Sequence, residues 1–328
     1  MAGTLGLGFA ITGCQPAIEK RRSFYPAQEW RDSNGALINA HGGGILYHEG
    51  TYYWFGEIKR GPTSRVDSVT TWECYRTAAE GVACYSSQNL IDWTDHGIAL
   101  AANYLDPSHE LHTSKVIERP KVIYNRSQET FVMWFHLDVE DYSYARAGVA
   151  ISDHPLGPYR FLKSYRPNGQ ESRDLTLFKD EDQRAYLVYS SENNQTLRVN
   201  RLSPDYLSPS LEEKRILVGE KREAPAVFKS KDRYYLLSSA CTGWDPSETR
   251  MATADSMLGD WQLIEHAFMK PHSQSSFGGQ VNFVLPVSGQ SDAFIFMSDI
   301  WKKKDLKSSL YMWLPLVPEK GGFRAVWE

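Results

Sequence analysis

GILYHEGTYYWFGE, residues 44–57, reads as a short apolar strand, a polar turn and a second strand rich in aromatic residues. The pattern returns four more times. PKVIYNRSQETFVMWFHL starts at Pro120, LTLFKDEDQRAYLVYSS at Leu175, APAVFKSKDRYYLLSS at Ala224 and VNFVLPVSGQSDAFIFMSD at Val281. Just ahead of the five copies stand His41, Glu118, Asp174, Glu223 and Gln280, all able to hydrogen-bond. A repeat of paired strands at this period predicts an all-β, five-bladed β-propeller, one blade per copy. Equivalent positions of successive blades are related by rotation about a central axis. The five polar residues should therefore converge at one mouth of the channel, and a ring holding three carboxyl groups is a candidate active site.

The spacing of the later copies leaves room for four strands each. Their outer parts repeat as well: SSQNLIDWTDHG, ISDHPLGPYRFLKS and ADSMLGDWQLIE each run from Ser or Asp through a turn to an aromatic residue that opens an outer strand. No long segment has helical periodicity. The gap between the first and second copies is the longest, and residues 60–115 fill it with a polar excursion containing TWECYRT and LDPSHELHTSK. Insertions of this kind gather on one face and shape a binding site. The repeats run nearly to the C-terminus, so residues 30–328 are expected to form a single domain.

The chain has 328 residues, a formal net charge of −4 and no basic block, which argues against nucleic-acid binding. Its 10 Trp and 18 Tyr suit packing between blades and stacking on sugar rings alike. No stretch is long and apolar enough to span a bilayer. Residues 4–13, TLGLGFAITG, are small and apolar and lead to Cys14. The ITGC sequence resembles a bacterial lipoprotein processing site, followed by a polar tether, QPAIEKRR. Such signals begin with a basic residue and are longer, so the start reads as trimmed. Residues 1–29 are accordingly expected to be a signal remnant and tether, lipidated at Cys14. The protein would then be exported to the bacterial cell envelope, touching the membrane through that anchor alone. In an exported protein Cys74 and Cys84 can pair, while Cys241, at the end of an apolar strand, is expected to be a buried thiol.

Glu223 in REAPAVFK should point into the mouth, partly desolvated, with its pKa raised as a general acid at neutral pH requires. Asp174 in SRDLTLF holds the same position one blade earlier and would raise it further. Glu118 in IERPKVIY offers a third carboxylate. Serine-elbow, zinc-helix and phosphate-loop motifs are missing, and the glycines at 42, 43 and 44 precede a strand, letting the chain pass near the axis.

These segments, with AHGGGILYHEGTYYWFGE, RDLTLFKDEDQRAYLVYSSE and EAPAVFK followed by CTGW, resemble glycoside hydrolase family 43, and within it the exo-β-1,3-galactanase branch, over residues 35–325. The resemblance implies an inverting glycosidase in which Glu223 is the acid and Asp174 tunes it. The family's general-base Asp ahead of the first strand is replaced here by Asn39-Ala40-His41-Gly42. In the galactanase branch a Gln before the fifth blade and a Glu before the second are thought to do that work, and Gln280 and Glu118 match them. A neutral amide activates water only through its imidic-acid tautomer or by orienting it, so Glu118 is expected to supply charge for a water that Gln280 positions. Trp244, Tyr142, Asn194, Thr242, Glu57 and His41 are the expected sugar contacts. Some propellers of the family hold an axial calcium, but no carboxylate cluster here demands a metal, and no cofactor is expected. A monomer acting on a polysaccharide or oligosaccharide is expected. The alternatives are an α-L-arabinofuranosidase or β-xylosidase of the same fold, or a sugar-binding propeller without catalysis.

Overall fold

The computed structural model describes residues 23, 25–264 and 276–327, arranged as five four-stranded antiparallel sheets. Cys14 and most of the expected tether lie outside them. The innermost strands are His41–His48, Val116–Asn125, Leu175–Lys179, Arg222–Ser230 and Gln280–Pro286. Each lies beside the next, and the fifth lies against the first, which closes the ring. This is the five-bladed propeller that the repeat predicts. Helical structure among the described residues is confined to three short 3₁₀ turns.

Blades stack face to face, so both sides of their inner strands are covered and the strands read as continuous apolar runs. Thr130–Asp138 (TFVMWFHLD) is buried from its second residue to its last. Ring closure uses the segment before the first blade. Trp30 packs on Trp54, Trp93 and Trp313, with its ring centre 4.8 Å from that of Trp313 in the last blade. The Tyr311 hydroxyl accepts from Ala40 N at 2.8 Å, tying the last blade to the entry of the first.

Within residues 60–115 the structure corrects the expected excursion. Gly81–Ser87 and Thr94–Ala101 are the outer strands of the first blade. The true insertion before them is a small hairpin, Ser64–Arg65 with Tyr75–Arg76. The expected pairing of Cys74 with Cys84 is not formed, and both are free and buried. Cys74 sits with Val66 and Val69 beneath that hairpin, whereas Cys84 packs in the core between the first two blades beside Phe55.

Candidate active site

Four of the five innermost strands carry a β-bulge near the mouth, between His41 and Gly44, Glu118 and Lys121, Glu223 and Ala226, and, one residue further along, Val281 and Phe283. In three of them the residue after the mouth residue takes a positive φ: Gly42 at 59°, Arg119 at 55° and Ala224 at 51°. The bulge breaks the alternation of the strand and re-aims the mouth residue toward the axis. Cross-strand pairing places a second polar layer behind this ring, since Glu57 pairs with His41, His136 with Glu118, Ser239 with Glu223 and Asp299 with Gln280.

The mouth opens into a pocket of about 590 Å³ that Glu118, Asp174, Glu223 and Gln280 all line. The structure thus brings the four expected catalytic residues together. Gln280 Nε2 donates to Glu223 Oε1 at 2.7 Å, and Asn194 Nδ2 lies 3.4 Å from Oε2. Burial and the Asp174 charge push the Glu223 carboxyl up to about 8, against the opposing pull of Arg119. Asp174 accepts from Ala224 N at 3.1 Å and pairs with Arg119 at 2.9 Å.

Glu118 is held by Lys59 at 3.2 Å and accepts from the Tyr142 hydroxyl at 3.1 Å. Burial alone would raise its pKa, but Lys59, His136 and Arg119 outweigh burial and keep it below the ordinary carboxylate range. Glu57, also 2.8 Å from Lys59, is pushed the other way, to about 8, chiefly by its own burial. One lysine thus serves two buried acids, which leaves one carboxyl charged and favours a proton on the other.

The expected sugar contacts divide into two groups. Tyr142, Asn194, Thr242 and Trp244 line the pocket. Glu57 and His41 lie behind it, buried. His41 faces Asp299 at 3.4 Å and stacks on Tyr311, while Asp299 also accepts from Gly42 N at 2.6 Å. Cys241 departs from the expected buried thiol: the strand Arg233–Ala240 ends one residue before it, so it opens the following loop, is exposed and lines the pocket.

Several residues here were not singled out from the sequence. Trp72, from the inserted hairpin, meets Tyr142 edge-on at 5.7 Å and walls the pocket. Trp301 donates to Gln280 and meets Trp244 edge-on. Lys59 lies 5.3 Å from the Trp244 ring centre. The paired endings FGE, FHLD, YSS, LSS and MSD of the second strands were the available signal for the inner polar layer.

Glu118, His136 and Asp174 each turn one ligand atom into a common space, all within 4.8 Å. Lys59 and Arg119 already pair with the two carboxylates, and calcium takes about six to eight oxygen ligands, so the set does not make a calcium site and is open to a sugar hydroxyl. His136 Nδ1, buried without a hydrogen-bond partner among the described residues, points to the same ligand chemistry.

A carboxylic acid kept protonated near neutrality, with further carboxylates around one sugar-sized pocket, defines a glycoside hydrolase. The chain belongs to glycosyl hydrolases family 43, whose pattern matches residues 43–297. It is 39% identical to a family 43 β-1,3-galactosidase solved with galactodeoxynojirimycin, covering 93% of this chain and 99% of that one at a TM-score of 0.85. It is 34% identical to an exo-β-1,3-galactanase of Phanerochaete chrysosporium solved with galactose, covering 92% of this chain and 66% of that one at a TM-score of 0.80. An exo-β-1,3-galactanase of Clostridium thermocellum is 33% identical, over 93% of this chain and 65% of that one, with a TM-score of 0.80. The chain thus spans just under two thirds of these two galactanases. No curated protein matches it at a significant level.

Proposed function

We propose that this chain is an inverting, exo-acting β-1,3-galactanase that releases galactose from the β-1,3-galactan of arabinogalactan. The observation that carries this reading is Glu223, held neutral up to about pH 8 beside Asp174 at the mouth of the pocket. Glu223 gives its proton to the glycosidic oxygen as the C1–O bond breaks. Water positioned by Gln280 attacks C1 from the opposite face, gives its proton to the Gln280 and Glu118 pair, and leaves galactose with inverted configuration. Glu118 supplies the negative charge for that water, since Lys59 keeps it ionised. Trp244 stacks on the apolar face of galactose while Tyr142, Asn194 and Thr242 bind its hydroxyls. Glu57 and His41 act from behind, Glu57 through Lys59. The ITGC sequence supports an exported envelope lipoprotein anchored at Cys14. Residues 1–29 would serve as signal remnant and tether, and residues 30–328 as the catalytic domain.

The test is galactose release from β-1,3-galactobiose and from arabinogalactan by wild type beside Glu223→Gln. Release that disappears in the variant supports reaction and acid together. Cleavage of aryl arabinofuranosides or xylosides instead, or binding without cleavage, overturns the reading.

A further inference from the structure

Three loops from different blades meet beside the pocket. The inserted hairpin of the first blade carries Trp72 and Glu73 in its loop. In the fourth blade, the connection between Arg233–Ala240 and Thr249–Ala254 carries Thr242, Gly243, Trp244 and Asp245. Lys303 lies in the fifth blade, between Phe294–Ile300 and Leu310–Glu319. Its ammonium is 2.6 Å from Glu73 Oε2 and 2.8 and 3.0 Å from the two carboxylate oxygens of Asp245. One cation thus ties the hairpin to the loop where the Trp72 ring seats on Gly243, so close that a Cβ there would lie 2.8 Å from it. The feet of the hairpin are fixed by separate bonds, from Leu306 N to Thr63 Oγ1 at 2.9 Å and from Arg76 Nη2 to Lys115 O at 2.8 Å. Its far end is held by Lys303 and by the contact of Trp72 with Tyr142.

We propose that Lys303 is a positioning residue for sugar binding: paired at once with Glu73 and Asp245, it latches Trp72 onto the loop of Thr242 and Trp244 and keeps the pocket walled on that side. The assignment rests on the galactanase reading above and deepens it, since a pocket walled on one side receives the end of a chain. The side chains of Lys303, Glu73 and Asp245 are 26%, 49% and 58% exposed. Exposed pairs are individually weak and are screened by salt. The walled form can therefore be depopulated, and the apparent affinity for sugar falls in proportion to the fraction of molecules that keep it. The reacting groups are held by other partners. Glu223 is bonded to Gln280, Asp174 is paired with Arg119 and Glu118 with Lys59. These buried pairs are screened far less than the latch, so loss of Lys303 should weaken binding and spare the chemical step.

Ionic strength tests the latch, because β-1,3-galactobiose is neutral and salt acts on the protein's own charges. Lys303→Met is expected to raise KM about fivefold with kcat within about twofold of wild type. Lys303→Arg keeps the charge and should bind as wild type does. Raising NaCl from about 0.05 M to about 1 M should raise the wild-type KM severalfold and leave that of Lys303→Met unmoved. Hydrogen exchange of residues 64–76 should be faster in Lys303→Met, a readout that needs no turnover. If Lys303→Met melts below wild type, Glu73→Gln at the exposed end of the latch decides by the same measurements. Wild type that cleaves galactobiose with a KM indifferent to salt overturns the latch and leaves the galactanase reading standing. A variant that melts as wild type and loses kcat at constant KM overturns it too. Wild type that cleaves no galactobiose overturns the galactanase reading, and unchanged exchange in Lys303→Met then overturns the latch as well.

Discussion

Arg119 Nη2 lies 2.9 Å from Asp174 Oδ2, joining the second blade to the third across the mouth of the channel. The positive φ of Arg119 lifts its side chain out of the strand and over the axis, where it also meets Gln280 and Asn282. Burial raises the Glu223 pKa most, Asp174 raises it further and Arg119 lowers it, so this pair trims a poise that burial sets.

Asp174→Asn removes the charge that disfavours ionisation of Glu223 and leaves Arg119 facing the acid. The alkaline limb of kcat/KM, expected near pH 8 in wild type, should move to lower pH in the variant. A pH profile on β-1,3-galactobiose reads this. An unmoved limb would separate Asp174 from the tuning of the acid.

Thermal stability should carry the mark of the same groups. Glu223 and Glu57 are both raised from 4.5 to about 8, so between those values the folded chain binds more protons than the unfolded one. Their contribution is full below pH 4.5 and is lost as pH rises through 8. The slope is at most about 1.4 kcal/mol per pH unit for each group. Melting temperature measured from pH 5 to 7, below the range where the lowered pKa of buried Lys121 opposes the trend, should therefore fall, and Glu57→Gln should flatten the fall.

Lys59→Met leaves Glu57 and Glu118 buried without their shared counter-charge, 2.8 and 3.2 Å away in wild type. Breaking a buried pair in this way costs about 3–5 kcal/mol, readable by denaturant titration. Glu118 also loses the largest influence that keeps its pKa low, so the acidic limb of the activity profile should move upward.

Gly243 has φ +62°, and a Cβ there would sit 2.8 Å from the Trp72 ring. Gly243→Ala should push Trp72 off the loop that carries Thr242 and Trp244 and loosen the pocket wall. We expect KM for galactobiose to rise about tenfold with a smaller change in kcat, since the reacting carboxyls are untouched. A drop in kcat at constant KM would contradict the role of Trp72 as a wall.

Strand pairs returning at a regular interval made the blades legible, because a strand's character depends on its immediate neighbours in sequence. The mouth residues were legible for the same reason: rotation carries Glu118, Asp174, Glu223 and Gln280 to equivalent places, and all four line one pocket. Contacts made by long-range closure were hidden. Lys59 bridging two blades, Trp72 reaching Gly243, and Trp301 meeting Gln280 depend on how blades far apart in sequence face each other. Cys74 and Cys84, ten positions apart, fold into different hydrophobic clusters, which spacing could not foretell. By itself the sequence determined the number of blades and the ring of polar residues at their mouth, since both follow from local pattern and rotation. Tertiary structure decided which carboxyls are paired with cations, which way the Gln280 amide points and which expected contacts lie behind the pocket. Burial and charge at a site are sums over neighbours that only the closed propeller brings together.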